Sequence, residues 1–170
     1  MTESGRALRR VPLPVKPFSA ELFSPFGEVI EPSPDGAPLP TEAQLDLSGG
    51  TPRLYIMTLD NRGTSFRDIT RHRRVTQCLG AMGGASWFLA VARPVNPDDP
   101  DLQPRPEEIE AFRIPGTVAV KLHRGTWHAG PFFEADTVDF FNLELTDTNI
   151  SDHDTCRLDH EYGTEFFFDT

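Results

Sequence analysis

The sequence predicts an all-β domain, either a barrel or a sandwich, and three observations lead to this class. Sixteen prolines and 13 glycines are scattered along the 170 residues, and proline interrupts the interior of a helix. Short apolar and β-branched runs lie between these turn-forming residues. Thirteen phenylalanines supply bulk for a core. Periodicity does not choose between the two architectures.

The length of the chain is that of one domain, and such a domain buries roughly two-thirds of the surface of its unfolded chain. We predict a flexible N-terminal tail over residues 1–12 and a single domain over residues 13–170. The sequence contains no internal repeat.

The first half of the chain shows one capped helical turn and several short strands. Ser19 is placed to cap a turn over residues 20–23, which Pro25 then ends. Strands are predicted over residues 26–31, 54–59 and 66–69. Residues 31–50 are rich in proline and glycine and predict a long loop that serves as a flap.

The second half contains five more predicted strands. Residues 75–82 and 86–92 are expected to form a hairpin through Gly83 and Gly84, a common hairpin-turn dipeptide. Further strands are predicted over residues 109–114, 117–122 and 138–145, and a surface loop over 93–105. The chain ends in three phenylalanines at 166–168, which we expect to pack against the body or a second subunit.

Charge and cysteine content narrow the class of function. Sixteen basic residues oppose 26 acidic ones, and a net charge of −10 disfavours both nucleic acid and anionic membranes as partners. A small anionic substrate remains compatible, because a pocket can be locally basic on an acidic protein. No apolar run reaches membrane-spanning length, and residues 1–10 are not expected to act as a secretory signal because no apolar stretch follows their charges. Cys78 and Cys156 read as reduced thiols of a cytoplasmic protein.

Three of the five histidines lie beside β-type segments, in two separated clusters. The first cluster begins with Arg71 and His72 and ends at Gln77, and the second runs from Lys121 to His128. In a closed sheet, residues that are distant in sequence reach one interior cavity. Histidine titrates near neutral pH and ligates metals, so these clusters are the candidate active site.

The first cluster resembles the first motif of the cupin barrel. In that motif a His-x-His pair is followed by a glutamate and, seven residues later, by a glycine. Here His72 takes the place of the second histidine, Gln77 that of the glutamate and Gly84 that of the glycine, while Thr70 stands where the first histidine would be.

The second cluster resembles the second cupin motif, which ends Pro-x-Gly-x-x-His. His123 replaces the proline, Gly125 is the motif glycine and His128 the motif histidine. The resemblance implies a cupin-type double-stranded β-helix, a jelly-roll barrel, with short peripheral helices.

Within the cupins, the chain resembles the ureidoglycolate lyase family. The matching stretches are residues 23–31, 71–77 with Met82, 123–128 and 138–140, and the likeness covers residues 13–145. It implies a cytoplasmic homodimeric lyase that cleaves (S)-ureidoglycolate to glyoxylate and urea in allantoin degradation, a branch of purine metabolism. Two alternatives stay open: a relative recruited to another small hydroxy or keto acid as an isomerase or cyclase, and a non-catalytic cupin that binds a small carboxylate.

The two clusters supply all candidate site residues. The catalytic candidates are His72, His123 and His128, because imidazole can both take and give a proton near neutral pH. The substrate-binding candidates are Arg71, Gln77, Lys121, Arg124 and Trp127.

A metal site is a further expectation that the sequence leaves open. His72, Gln77, His123 and His128 either hold a divalent transition metal, with nickel, zinc or manganese as the choices, or only hydrogen-bond the substrate. No organic cofactor is expected. His153 and His160 lie in the acidic segment near the C-terminus and are expected either to be exposed or to pack with that tail.

Overall fold

The computed structural model describes residues 7–38 and 42–170, and strands dominate it. The helices are single turns at α1 (Ala20–Phe23), α2 (Thr148–Ser151) and α3 (Leu158–Tyr162), with a 3-10 turn at Pro106–Glu108. The strands in the described part of the chain are β1 (Arg9–Lys16), β2 (Gly27–Ile30), β3 (Pro52–Asp60), β4 (Ser65–Phe66), β5 (Asp68–Arg71), β6 (Cys78–Ala81), β7 (Gly84–Ala92), β8 (Glu110–Gly116), β9 (Ala119–Leu122), β10 (Trp127–Phe132), β11 (Thr137–Leu145), β12 (Asp154–Arg157) and β13 (Thr164–Asp169).

These strands form two curled sheets. Within the described residues, the large sheet has the order β12-β5-β10-β7-β8-β1-β13-β4, and the small sheet has the order β2-β9-β6-β11-β3. Pairing is antiparallel except that β1 runs parallel to both β13 and β8. The architecture is the all-β jelly roll of the cupin type that the sequence predicts, and its short helices are peripheral. No helix in the described ranges has the length and apolarity needed to cross a membrane.

Both faces of the large sheet are buried. Along β7, Trp87 and Leu89 face the core between the two sheets, while Phe88 and Ala90 face a second core on the opposite side. This alternation follows from the two-residue period of a strand. A strand buried on both faces reads as a continuous apolar run, which is how residues 86–92 read in the sequence.

Several local predictions are confirmed. The side chain of Ser19 accepts a hydrogen bond from the backbone N–H of Leu22 (3.1 Å) and caps α1. The strands predicted over 26–31, 54–59, 109–114, 117–122 and 138–145 correspond to β2, β3, β8, β9 and β11. The run 66–69 is divided between β4 and β5. The segment predicted as a flap carries no helix or strand in its described part, and residues 39–41 of it lie outside the described residues.

The predicted hairpin across Gly83 and Gly84 is wrong. The turn exists, and both glycines have a φ of +83°, a left-handed conformation that glycine adopts without strain. However, β6 pairs with β9 and β11 in the small sheet, whereas β7 pairs with β8 and β10 in the large sheet. The chain therefore crosses from one sheet to the other at this turn.

The predicted tail over residues 1–12 is also too long. Residues 1–6 lie outside the described residues, but β1 begins at Arg9 and pairs in parallel with β13 from Arg9↔Thr164 to Pro14↔Asp169. Charged residues and two prolines hide this strand from a pattern search. The packing predicted for the three terminal phenylalanines is confirmed, because Phe166 and Phe168 are buried in the core of the large sheet.

We expect Phe168→Ala to lower the free energy of unfolding by about 3–5 kcal/mol, since it empties a buried site beside Phe66, Phe88 and Phe132. Phe167→Ala is the control, because Phe167 is half-buried and alternates to the other side of β13. Urea denaturation measures both. An equal decrease in the free energy of unfolding of the two variants would contradict the burial of Phe168, and not of Phe167, in the core.

Candidate active site

A cavity of about 500 Å³ opens between strands of the two sheets. β3, β6 and β11 of the small sheet form one wall, and β4, β5 and β10 of the large sheet form the other. Both apolar and polar side chains line it. The polar lining residues are Tyr55, Arg62, Ser65, Arg67, Asp68, Thr70, His72, Gln77, His128, Asn142, Asn149 and His153.

The two histidine clusters meet in this cavity, as the cupin-like motifs require. β5 and β10 are neighbours, and His128 lies directly opposite Thr70 in their pairing. His72 follows the last residue of β5. The ring centroids of His72 and His128 are 5.2 Å apart, so residues 56 positions apart in the chain form one pair.

Backbone carbonyls orient both imidazoles. His72 Nδ1 lies 2.6 Å from the carbonyl oxygen of Asp152, and His128 Nδ1 lies 3.2 Å from that of Thr126. A carbonyl oxygen only accepts, so in each ring Nδ1 carries the hydrogen and donates it. Each neutral ring therefore keeps a lone pair on Nε2 for a proton or a metal ion.

Burial keeps both rings neutral at physiological pH. Desolvation lowers the pKa of His72 below its ordinary value. Desolvation, with the neighbouring His72 as the next cause, lowers the pKa of His128 from 6.5 to about 3. The pair is thus a set of bases or metal ligands rather than a cationic patch.

The C-terminal segment completes the site, which the sequence did not predict. The sequence predicts no role in the site for His153, which is exposed as expected, but its ring also lines the cavity 5.4 Å from that of His72. The preceding carboxylate, Asp152, accepts the backbone N–H groups of Arg73 (2.7 Å) and Arg74 (2.8 Å). This contact holds the Asp152 carbonyl against His72. His160, by contrast, is exposed and does not line the cavity, as expected.

Gln77 lies in the cavity wall as predicted, held by residues that sequence reasoning missed. Its Nε2 donates to Asn142 Oδ1 (3.1 Å) and to Glu144 Oε2 (3.2 Å). Its Oε1 is buried and has no hydrogen-bond partner among the described residues. Asn142 and Glu144 occupy every second position of β11, on its inward-facing side. This two-residue alternation is the feature of the sequence that could have identified them.

His123 and Lys121 do not reach the cavity, contrary to expectation. His123 Nε2 lies 3.0 Å from the backbone oxygen of Ser24, and Nδ1 lies 3.4 Å from Lys121 Nζ. Lys121 forms an ion pair with Glu28 (2.8 Å) on β2, the neighbouring strand. Because residues of β9 alternate between faces, the Lys121 side chain lies opposite to that of Val120, which fills the core.

Arg71, Trp127 and Arg124 also serve the fold rather than the cavity. Arg71 is fully buried, bonds Asp154 (3.0 Å), and stacks over the Trp127 ring at 4.7 Å. Trp127 belongs to the core of the large sheet. Arg124 lies at the surface, 3.3 Å from Asp98. Arg71 and Trp127 each stand next to a cavity residue, and strand geometry sends neighbouring side chains to opposite faces, whereas Arg124 lies in the turn between β9 and β10.

Two other arginines, Arg62 and Arg67, line the cavity together with one carboxylate, Asp68. Arg62 donates to the backbone oxygen of Pro131 (3.0 Å) and its guanidinium lies 5.2 Å from the centroid of the Phe132 ring. Arg67 is half-exposed and lies 3.5 Å from Glu165. Both stand in a polar stretch of the sequence without a recognisable motif, so only the fold places them beside the histidines.

The chemistry of the donors at His72 and His128 fits a divalent transition metal, although as a weak site. Each ring donates Nδ1–H to a carbonyl, the usual second contact of a ligating histidine, and leaves Nε2 available. Two neutral imidazoles supply no ligand charge, and no three His, Cys, Asp or Glu side chains in the described ranges cluster as a metal site. His123, one of the predicted ligands, lies outside the cavity.

Comparisons with a family model and with curated proteins point to the same family. The family model described as ureidoglycolate lyase matches residues 43–165. The chain is 26% identical over 138 residues to a ureidoglycolate lyase of Azotobacter vinelandii, covering 68% of this chain and 74% of that one. It is 26% identical over 132 residues to ureidoglycolate lyase 2 of Rhizobium meliloti, covering 69% and 76%.

Among solved structures, RmlC from Streptococcus suis in complex with dTDP-D-xylose aligns with a TM-score of 0.37 and 11% identity, over 58% of this chain and 45% of that one. A likeness at that level carries no argument about function. The fold assignment here rests on strand order and pairing.

We expect stability to fall between pH 7 and pH 4 through His128. The ring is neutral in the fold down to about pH 3 but takes a proton near pH 6.5 once unfolded, so acid favours the unfolded chain. At pH 5 this linkage amounts to about 2 kcal/mol. Urea denaturation of wild type and His128→Gln at pH 8 and pH 5 isolates the effect. The neutral, buried state of His128 would be contradicted if the free energy of unfolding of wild type decreased between pH 8 and pH 5 by no more than that of His128→Gln.

Proposed function

Because the chain belongs to the ureidoglycolate lyase family, we propose that it cleaves (S)-ureidoglycolate to glyoxylate and urea. The observation that carries the proposal is the pair of neutral imidazoles, His72 and His128, that share one cavity with two arginines. The family match supports the same reaction. We place this reaction in allantoin degradation, within purine metabolism.

The reaction needs one proton to move and no oxidant. The substrate carries a hydroxyl, a ureido nitrogen and a carboxylate on one carbon. A base removes the hydroxyl proton, the C–O bond becomes a carbonyl, and the C–N bond breaks with its electron pair going to nitrogen. An acid then protonates that nitrogen and urea departs.

The imidazole pair provides for both proton transfers. The lone pair on one Nε2 accepts the hydroxyl proton, since Nδ1 of each ring is engaged with a carbonyl oxygen. The imidazolium that forms is a strong acid, because burial disfavours its charge. It therefore returns the proton readily to the leaving nitrogen. The cavity starts and ends the cycle with neutral rings.

Arg62 and Arg67 are the groups suited to the substrate carboxylate. A guanidinium binds a carboxylate through paired N–H donors. They replace Arg71, Lys121 and Arg124 in this role, because those three side chains point elsewhere. The product glyoxylate keeps the carboxylate and urea does not, so the same anchor holds one product after the bond breaks.

As the alternative to proton transfer by the rings, we propose that a divalent ion, with nickel, zinc and manganese as candidates, binds the Nε2 atoms of His72 and His128 and replaces the imidazole base as the group that activates the substrate hydroxyl. Bound there, the ion would lower the pKa of the substrate hydroxyl. Equilibrium dialysis of untagged protein against each metal ion, followed by elemental analysis, tests this directly, because wild type would retain the ion and the double variant His72→Ala/His128→Ala would not.

We further propose a cytoplasmic homodimer. Cys78 and Cys156 are both free thiols, as in a reducing compartment. Leu54 and Ile56 are exposed on β3, at the edge of the small sheet, and lie opposite Leu143 and Phe141 of β11. This apolar face is a suitable surface for a second copy. Sedimentation velocity measures the mass that decides the point.

We expect His72→Ala and His128→Ala each to lower kcat for glyoxylate release by about 10²–10⁴-fold, because each removes a proton-transfer group. His160→Ala serves as the control, since His160 is exposed near the C-terminus. Glyoxylate is measured after mixing enzyme with racemic ureidoglycolate.

One result would count against the lyase. If wild type releases glyoxylate no faster than the double alanine variant, the chain does not catalyse this reaction. In that case saturable binding without turnover, measured by calorimetry, would indicate a carboxylate-binding protein instead.

We expect Arg67→Gln to raise KM for ureidoglycolate about tenfold with a smaller effect on kcat, because a charge-assisted contact present before and after bond cleavage is removed. Arg124→Gln, at the surface beside Asp98, is the matched control. Steady-state kinetics of the two variants measure both constants. A KM that rises only in Arg124→Gln would show that Arg124, as the sequence predicted, binds the substrate, and that Arg67 does not.

A further inference from the structure

A polar network on β3 and β11 supports the cavity wall, and two of its members, Tyr55 and Asn142, themselves line the cavity. Glu144 is fully buried, and its Oε1 accepts hydrogen bonds from Arg53 and from the hydroxyl of Tyr55 (3.3 Å). Its Oε2 accepts from Gln77 Nε2 (3.2 Å). Asn142 donates to the Tyr55 hydroxyl (3.1 Å), which fixes Asn142 Oδ1 as an acceptor toward Gln77.

This network determines which way the amide of Gln77 points. Nε2 faces two acceptors, Asn142 Oδ1 and Glu144 Oε2. Turning the amide over would place Gln77 Oε1 against the same two oxygens, and three acceptors without a hydrogen between them repel. Glu144 and Asn142 therefore keep Oε1 directed away from themselves, where no group in the described part of the chain donates to it.

An unpaired buried acceptor costs free energy, so its retention in the wall of a cavity points to a ligand that donates a hydrogen. Gln77 is 8% exposed and lines the same cavity as the imidazole pair. A carboxylate or a carbonyl oxygen placed against Oε1 would be repelled. The carboxylate of a ligand therefore belongs near Arg62 and Arg67, and its N–H groups near Gln77.

We propose that Gln77 Oε1 accepts a hydrogen bond from an N–H of the ureido group, and that Glu144 is the positioning residue that presents it. The inference rests on the proposed function for the identity of the substrate. It goes further in assigning specificity: the site distinguishes N-carbamoyl acids from isosteric acids that lack the N–H donors. A site that hydrogen-bonds such donors discriminates strongly against analogues without them.

The test uses three inert ligands of the same length. Ureidoacetate has the ureido group but no hydroxyl, so it cannot be cleaved. 4-Oxopentanoate replaces both of its nitrogens with carbon, and succinamate keeps only the terminal amide. Calorimetry measures the dissociation constant of each for wild type, Gln77→Met, Glu144→Gln and the control Glu110→Gln, whose carboxylate pairs with Lys16 away from the cavity.

We expect wild type and Glu110→Gln to bind ureidoacetate at least 30-fold tighter than 4-oxopentanoate. The affinity for succinamate, which keeps only the terminal amide, shows whether Gln77 accepts from the terminal or from the internal N–H. In Gln77→Met and Glu144→Gln this ratio falls at least tenfold, while the affinity for 4-oxopentanoate changes no more than about twofold. The retained affinity for the isostere shows that each variant is folded and that the carboxylate anchor is intact.

Three outcomes would overturn the inference: a ratio near one in wild type, a ratio unchanged in Gln77→Met, or loss of a stoichiometric metal ion in Gln77→Met, which would make Gln77 a ligand. Glu144→Gln alone failing to fold leaves Gln77→Met to decide. A wild type that prefers ureidoacetate but releases no glyoxylate would refute the lyase and leave the ureido recognition standing.

Discussion

The antiparallel pairing of β5 with β10 is the contact on which the site depends. It sets His128 opposite Thr70 and leaves His72 at the end of the neighbouring strand, so two rings from distant parts of the chain lie 5.2 Å apart. A shift of one residue in this register would turn the His128 side chain to the opposite face of the sheet and bring the Trp127 side chain toward the cavity. The buried stack of Arg71 on Trp127 opposes such a shift.

The same pairing explains why the C-terminal segment belongs to the site. β12 adds to the free edge of β5, and this places Asp154 beside Arg71. The residues just before β12 then lie over the end of β5, where Asp152 binds two backbone N–H groups and the Nδ1 of His72. Secondary structure and the orientation of a catalytic candidate are therefore set by one piece of chain.

The electrostatics of the cavity differ from those of the protein as a whole. The chain carries a net charge of −10, yet its candidate site combines neutral imidazoles, an oriented amide and two arginines with one lining carboxylate, Asp68, which pairs with Arg157. The buried carboxylate nearby, Glu144, is held by Arg53, Tyr55 and Gln77. An anionic substrate thus meets donors at the cavity wall although most of the surface is acidic.

The sequence by itself determined the all-β class, most strand positions and the two histidines of the candidate site. These features are local: apolar runs mark strands, turn residues end them, and His72, Gln77 and His128 stand at motif spacings. It did not determine that β6 and β7 belong to different sheets, because a turn dipeptide carries no information about each strand's other neighbours. Nor did it separate His128 in the cavity from Lys121, His123 and Arg124 outside it.

Those choices were made by the tertiary structure. Which face of a strand looks inward depends on the register with its partners, and a one-residue difference reverses it. Arg62, Arg67 and His153 reach the cavity, and Glu144 reaches Gln77 in its wall, only because segments distant in sequence close around one cavity. Their positions depend on the pairing of strands that are distant in sequence and on burial. Neither can be predicted from the residues on either side of them.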